Sequence, residues 1–225
     1  MRSLHKLVIV AGLALFALVL SGCDGGFGGV VNGSGNVTSE SRNVSGFQAV
    51  SLSGVGNLTI DQNGTESLTV EAEDNLLPYI KTEVQGNRLV IGSKDNTSLN
   101  PTKPINYRLT VKDLNSIDLS GAGKITGADI NTPKLAVNVS GAGDITLAGK
   151  VDSQDINLSG AGNYHGEALA GKDVTITTSG AGSAVVQVSD TLDATVSGAG
   201  SVRYIGDPQV KQNVSGAGSV SKQNK

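Results

Sequence analysis

Between Leu135 and Leu147 the apolar residues fall on every second position, interrupted once by four small residues. Leu135, Val137 and Val139 alternate with polar neighbours, Ser140-Gly141-Ala142-Gly143 follows, and Ile145 and Leu147 resume. A period of two is the signature of strand, because successive side chains leave a strand on opposite faces. The same step of six links the flanking apolar positions of each break. It runs from Leu119 to Ile125, Val139 to Ile145, Leu158 to Tyr164, Val196 to Val202 and Val214 to Val220, with Thr178 and Ala184 in the equivalent places. An even step keeps the same face inward on both sides of the break.

The break itself recurs. Ser-Gly-Ala-Gly begins at Ser120, Ser140, Ser159, Ser179, Ser197 and Ser215, with separations of 20, 19, 20, 18 and 18 residues. A variant, Ser53-Gly54-Val55-Gly56, precedes them and keeps the step of six from Leu52 to Leu58. A fixed period of this length means that each repeat is one turn of a solenoid. Such a turn has room for about three short strands and their corners, whereas a propeller blade needs about 40 residues. The expected fold is therefore all-β, a parallel β-helix with coils of 18–20 residues. It is expected to be right-handed, as parallel crossovers overwhelmingly are. The tetrad glycines are the expected corner residues: Gly54, Gly56, Gly121, Gly123, Gly141, Gly143, Gly160, Gly162, Gly180, Gly182, Gly198, Gly200, Gly216 and Gly218. Two reasons favour glycine there: it reaches φ > 0 at little cost, and alternation aims both positions inward, where a bend leaves no room for a side chain.

The N-terminal half repeats less cleanly. Val50, Leu52, Leu58 and Ile60 alternate around the variant tetrad, and Leu68 and Val70 continue the pattern. Asp74 to Ile80 reads as a helical turn or loop, and Val84 to Leu89 as a hairpin or corner. Ser93 to Pro104 is polar and reads as a protruding loop. Tyr107, Leu109 and Val111 then return to strand. The whole is expected to be one domain, residues 32–221, with a polar tail at 222–225. Roughly nine coils at about 4.8 Å would give a stack of about 45 Å.

Residues 1–22 read as an address, with Arg2, His5 and Lys6 ahead of the apolar run Leu7 to Leu20. That run is shorter than the roughly 20 residues a spanning helix needs. It ends at Leu20-Ser21-Gly22-Cys23, which resembles the lipobox of bacterial lipoproteins. The resemblance implies cleavage before Cys23 and acylation of its thiol and new amine. Cys23, the single cysteine, is thus the expected lipidation site, and residues 23–31 a Gly-rich tether. Two or three acyl chains hold a protein stably on a membrane where one is marginal. The expected location is the bacterial cell envelope, outside the cytoplasm, with inner and outer membrane both open.

Gly46-Phe47-Gln48-Ala49-Val50, Leu52-Ser53-Gly54-Val55-Gly56, Asn75-Leu76-Leu77-Pro78 and the serial Ser-Gly-Ala-Gly tetrads also carry a family likeness. Together they resemble the bacterial "putative auto-transporter adhesin, head GIN domain" family over roughly residues 32–220. The resemblance implies an envelope β-helix and supplies no catalytic residues to carry over.

The remaining features narrow the chemistry. Of 17 basic residues, Arg2 and Lys6 leave with the leader, so 15 remain against 20 acidic ones, about −5 in net charge. With no basic block, nucleic acid is not an expected partner. Trp is absent, and four Tyr and three Phe offer few stacking platforms. Gly141-Ala142-Gly143 supplies half of G-x-G-x-x-G, but Thr146 stands where the third glycine belongs, so no dinucleotide or other cofactor is expected. His165, the only histidine beyond the leader, cannot build a metal site alone.

Two outward-facing polar ladders are expected from stacking of equivalent positions. Asp118, Asn138 and Asn157 precede the tetrads; Lys124, Asp144 and Asn163 follow them. Asp118, Lys124 and Asp144 share one end and form the nearest thing to a carboxylate-and-base cluster. The expected function is a non-catalytic binding, adhesive or structural surface, with a glycan or an envelope protein as ligand class. The alternatives are a polysaccharide-active lyase or glycosidase on a β-helix scaffold, and an envelope assembly or stress factor with a protein partner. A glycosidase needs paired carboxylates across a groove, which mostly Asn, Ser and Thr do not supply. An open C-terminal strand edge, able to pair with a second copy, is also expected, with residues 30–50 long enough to cap the other end.

Overall fold

The computed structural model describes residues 29–224, which contain seventeen strands and a single 3-10 turn. In chain order the strands are β1 (Gly29–Asn32), β2 (Val37–Arg42), β3 (Ala49–Ser53), β4 (Asn57–Gln62) and β5 (Ser67–Glu73). After the turn at Leu77–Tyr79 come β6 (Ile80–Gln85), β7 (Arg88–Ser93), β8 (Thr97–Asn100), β9 (Asn106–Val111) and β10 (Ser116–Leu119). The regular half holds β11 (Lys124–Val139), β12 (Asp144–Leu158), β13 (Asn163–Thr178) and β14 (Ser183–Val196), then β15 (Ser201–Ile205), β16 (Gln209–Val214) and β17 (Ser219–Lys222).

These strands stack as a parallel β-solenoid of about 5 turns. The strands before the tetrads make one broad face: β7, β3, β10, the C-terminal ends of β11 to β14, and β16, all parallel and in that order. The strands after the tetrads make a second: β9, β4, the N-terminal ends of β11 to β14, β15 and β17. The middles of β11 to β14 form a third face, where Asn131, Lys150, Ala170 and Gln187 stand in register. From β11 to β14 the tetrad is the one corner that interrupts the strands, and in the last coil a second break at Gly206–Pro208 separates β15 from β16. The corner between the second and third faces is a bend within a strand, marked by register shifts and by Asp129 (φ 57°) and Gly149 (φ 136°).

Alternation puts the apolar positions inside, where they stack coil on coil. Ile117, Val137, Ile156, Ile176 and Ala194 form one interior column; Ile125, Ile145, Tyr164, Ala184 and Val202 form another. All ten are fully buried. Burial of each large aliphatic side chain stabilises the fold by roughly 1.5–3 kcal/mol.

The N-terminal half departs from a simple winding. The coil of β3 and β4 is laid down first, yet it ends up between two others. The chain leaves it, returns as β7 and β9 on one side, and then crosses to the other side as β10. Gln62 stitches the layers: its Nε2 donates to the carbonyls of Lys112 and Asn131, both at 3.1 Å, and its Oε1 accepts from the Asn131 N–H at 2.9 Å.

Antiparallel strands close this end. β6 pairs with β7 around Gly86 (φ 63°), while β5 pairs with β9 and β2 with β5. Phe47, Leu76, Leu77 and Ile80 are buried beneath them.

Several expectations need correction here. The full turns number about 5 rather than nine, because much of the N-terminal half forms antiparallel pairs and interleaved strands instead of successive coils. The cap is built mainly by residues 67–85, with β2 added, not by residues 30–50 alone. The polar stretch from Ser93 to Pro104 is not all loop: β8 within it pairs in parallel with β1. That pairing makes Gly29 to Val31 strand, although composition places them in the tether.

Candidate binding surface

Each tetrad turns the chain at its Gly-Ala step. The Ser and Ala are exposed, the first glycine half-buried and the second buried in Ser140–Gly143, Ser159–Gly162 and Ser179–Gly182. The reason for glycine is proximity to the coil below. A Cβ at Gly141 would fall on the carbonyl oxygen of Gly121, and one at Gly160 on that of Gly141. A Cβ at Gly143 would fall on the Gly123 carbonyl and lie 2.8 Å from Leu119 Cδ2. Those carbonyls are themselves in use: the Ala142 N–H donates to Gly121 O and the Ala161 N–H to Gly141 O, both at 3.1 Å. The φ > 0 argument does not hold for the six identical copies, whose glycines lie outside the left-handed region. It holds only at Gly56 of the variant, with φ 128°.

The polar positions beside the corner form hydrogen-bonded ladders. Asn138 Nδ2 donates to Asp118 Oδ1 at 2.7 Å, and Asn157 Nδ2 to Asn138 Oδ1 at 3.3 Å. On the other side, Asn163 Nδ2 donates to Asp144 Oδ1 at 2.9 Å, and Asn163 Oδ1 accepts from the Ser183 N–H at 3.2 Å. Ser201 Oγ lies 3.0 Å from Ser183 Oγ. The Asp118–Lys124–Asp144 cluster does not assemble. Lys124 and Asp144 are register neighbours on the second face, whereas Asp118 sits across the corner on the first and forms an ion pair with Arg88. His165 Nδ1 faces Glu167 Oε1 at 3.5 Å, and Tyr164 points into the core. Cys23 lies outside the described residues.

The third face carries a feature that the repeats did not signal. A shallow groove of about 590 Å³ crosses several coils there, lined among others by Asn131, Thr132, Lys150, Asp152, Lys172 and Ser189. Lys172 Nζ meets Asp152 Oδ1 at 2.7 Å. That hydrogen bond, together with the charges of Asp152, Asp190 and Asp173, raises the Lys172 pKa, so the ammonium stays charged across the physiological range. The groove thus offers amide, hydroxyl, carboxylate and ammonium groups on a rigid strand scaffold, where neutral or mildly polar ligands find both donors and acceptors. Sequence reading missed it because the third-face strands lack a common motif.

Two buried polar arrangements hold the scaffold. Glu73, fully buried, accepts from Thr102 Oγ1 (2.5 Å) and from the N–H groups of Thr102 (2.9 Å), Gly35 (2.7 Å) and Lys103 (3.4 Å). The Thr102 hydroxyl, followed by those N–H groups, draws the carboxyl pKa below its ordinary value against the opposing effect of burial. Inside the regular half, the Tyr164 hydroxyl donates to Gln154 Oε1 at 2.7 Å. Burial pushes the Tyr164 pKa up, so the phenol stays neutral.

Stacked parallel coils, one glycine corner per turn and polar outer ladders define the class of this protein, a β-solenoid that presents strand surfaces. Residues 46–208 match the family described as "Putative auto-transporter adhesin, head GIN domain", and the chain belongs to it. No curated protein matches the chain. Among solved structures, a putative adhesin from Bacteroides fragilis NCTC 9343 aligns with a TM-score of 0.70 at 21% identity, over 86% of this chain and 100% of its own. A putative adhesin from Parabacteroides distasonis ATCC 8503 aligns at 0.56 and 22% identity, over 87% and 100%. A putative lipid binding protein from the same organism aligns at 0.57 and 21%, also over 87% and 100%. At such identities these likenesses establish the shared fold.

Proposed function

We propose that this protein is a lipid-anchored, extracytoplasmic solenoid that acts as a non-catalytic binding or adhesive surface of the bacterial cell envelope. The groove on the third face carries this reading. It is open, lined by apolar residues such as Pro133 and Val151 as well as by polar and charged ones, and built on strands of successive coils, which suits an extended ligand such as a glycan chain or a protein segment more than a small enclosed substrate. The family description points the same way, toward an adhesin-like role at the cell surface.

The acidic residues of the ladders argue against the polysaccharide-active alternative. Asp118 is engaged by Arg88 and Asn138, and Asp144 by Asn163. Carboxylates held in structural pairs on two different faces do not make the facing pair that glycosidic cleavage uses. Lipid enters this account through Cys23, whose acyl chains would hold the protein on the membrane. Likeness to a putative lipid binding protein adds no interior site, since the columns inside the coils are filled by side chains.

Binding of the purified chain to isolated envelope polysaccharide and peptidoglycan tests the proposal. Replacing Asn131, Lys150 and Ser189 together by Ala is expected to weaken binding at least tenfold while the thermal melt stays within a few degrees of the parent. Unchanged binding by that variant would sink the groove assignment.

A further inference from the structure

The coil built by β7 and β9 has no tetrad. Ser53 and Asn57, on either side of the variant tetrad, are four residues apart. Their register partners on the neighbouring coil, Gly92 and Asn106, are fourteen apart. Between those two the chain leaves the stack, forms β8 and returns at Ile105. The column of corner glycines therefore ends at Gly54. A Cβ at Gly121 would fall on the Gly54 carbonyl, whereas a Cβ at Gly54 would meet only Gly92 Cα, at 3.9 Å. A cavity of about 180 Å³ stands in place of the missing corner, with Val55, Gly92, Leu99 and Tyr107 among its walls.

Two hydrogen-bond donors at this cavity lack acceptors. Tyr107 shares an interior column with Tyr164 and is likewise buried. The Tyr164 hydroxyl donates to Gln154, but the Tyr107 hydroxyl has no partner among the described residues. Its ring edge lies at the corner, with Cε2 2.8 Å from where a Cβ of Gly56 would be. Burial pushes the phenol pKa up, so the hydroxyl keeps its proton. The second donor is the Val55 N–H. In the following tetrads the alanine N–H donates to a glycine carbonyl of the preceding coil, as Ala122 does to Gly54 and Ala142 to Gly121. The same geometry turns the Val55 N–H toward the β7–β9 coil, where no tetrad carbonyl receives it. A buried hydroxyl without an acceptor costs stability, and a carbonyl oxygen, with two lone pairs, suits a pair of donors.

We propose that this cavity binds the acetamido group of an N-acetylated amino sugar. Its volume is below the roughly 300–1,000 Å³ of a site that encloses a whole small ligand, so it takes one group of a larger molecule. No charged side chain lines it, and an amine or a carboxylate would enter without a counter-charge. The acetamido carbonyl accepts from Tyr107 and Val55, and its methyl packs against Leu99 and the Tyr107 ring. The hydroxyls of Ser93, Thr97 and Ser98, at the same cavity, are left for the amide N–H and the ring hydroxyls. A glycan ligand is common to this site and the proposed function, but the cavity shares no residue with the groove.

Isothermal titration of the full chain in a sugar-free detergent, with the trimer of N-acetylglucosamine as ligand, tests the assignment. Saturable binding is expected, and none with the trimer of glucosamine. Tyr107→Phe keeps the ring that fills the core and removes only the hydroxyl. It is expected to weaken binding about tenfold, the worth of one hydrogen bond, with a thermal melt no lower than that of the parent. No saturable heat with the N-acetylated trimer, equal binding of the glucosamine trimer, or unchanged affinity in Tyr107→Phe overturns the proposal. A lowered melt in that variant also overturns it, by giving the hydroxyl a structural partner. Replacing Asn131, Lys150 and Ser189 by Ala is expected to leave trimer binding intact, so that this site and the groove fail separately. Loss of trimer binding in that variant would place the sugar in the groove instead.

Discussion

At the residue scale, the tetrad glycines are set by the distance between coils. Each Gly-to-Gly contact places one backbone against the next with no space for a Cβ, and the listener on the other side is a carbonyl oxygen already engaged in a hydrogen bond. The neighbouring Ala points to solvent. Gly141→Val is therefore expected to cost roughly 1–3 kcal/mol through overpacking, and Ala142→Val much less. Thermal melts of the two variants side by side check this, and equal midpoints would contradict it. The position of these glycines was legible from spacing and phase alone. Their cause was not: one sequence does not reveal that a corner is crowded by the turn beneath it and not by its own torsion angles.

Element by element, the legibility divides at about residue 115. From β10 onward successive coils pair a single repeat further along the chain, so the repeat states its own register there. Before that point the pairings of β3 with β7 and of β4 with β9 join segments about 40 to 50 residues apart, with no shared motif to announce them. Glu73 shows the same limit, since it gathers N–H groups from residues 35, 102 and 103 that only the folded chain brings together. Its folded pKa lies below the unfolded value of about 4.3. The stabilisation it provides is thus present above that value and is lost as pH falls through the folded pKa. Denaturant midpoints of the parent and Glu73→Gln are expected to differ most near neutrality and to converge in acid. A gap that widens on acidification would contradict the sign of that shift.

At the scale of the whole molecule, the proposed function holds a rigid stack at an envelope surface. Its N-terminal side leads back toward Cys23, and its groove lies on the regular coils beyond. Cys23→Ser is expected to release the chain from membranes or leave its leader uncleaved, read by fractionation and intact mass; processing and membrane retention as in the parent would refute the lipid anchor. Site-specific photo-crosslinking in living cells is the direct test of whether the third face binds an envelope component. Crosslinkers at Thr132 and Ser189, on the groove, and at Glu40, on the exposed capping strand β2, are compared in the full chain. One common adduct is expected from Thr132 and Ser189 and none of that mass from Glu40. Absence of any adduct from the groove positions, or the same adduct from all three, would contradict binding at that face.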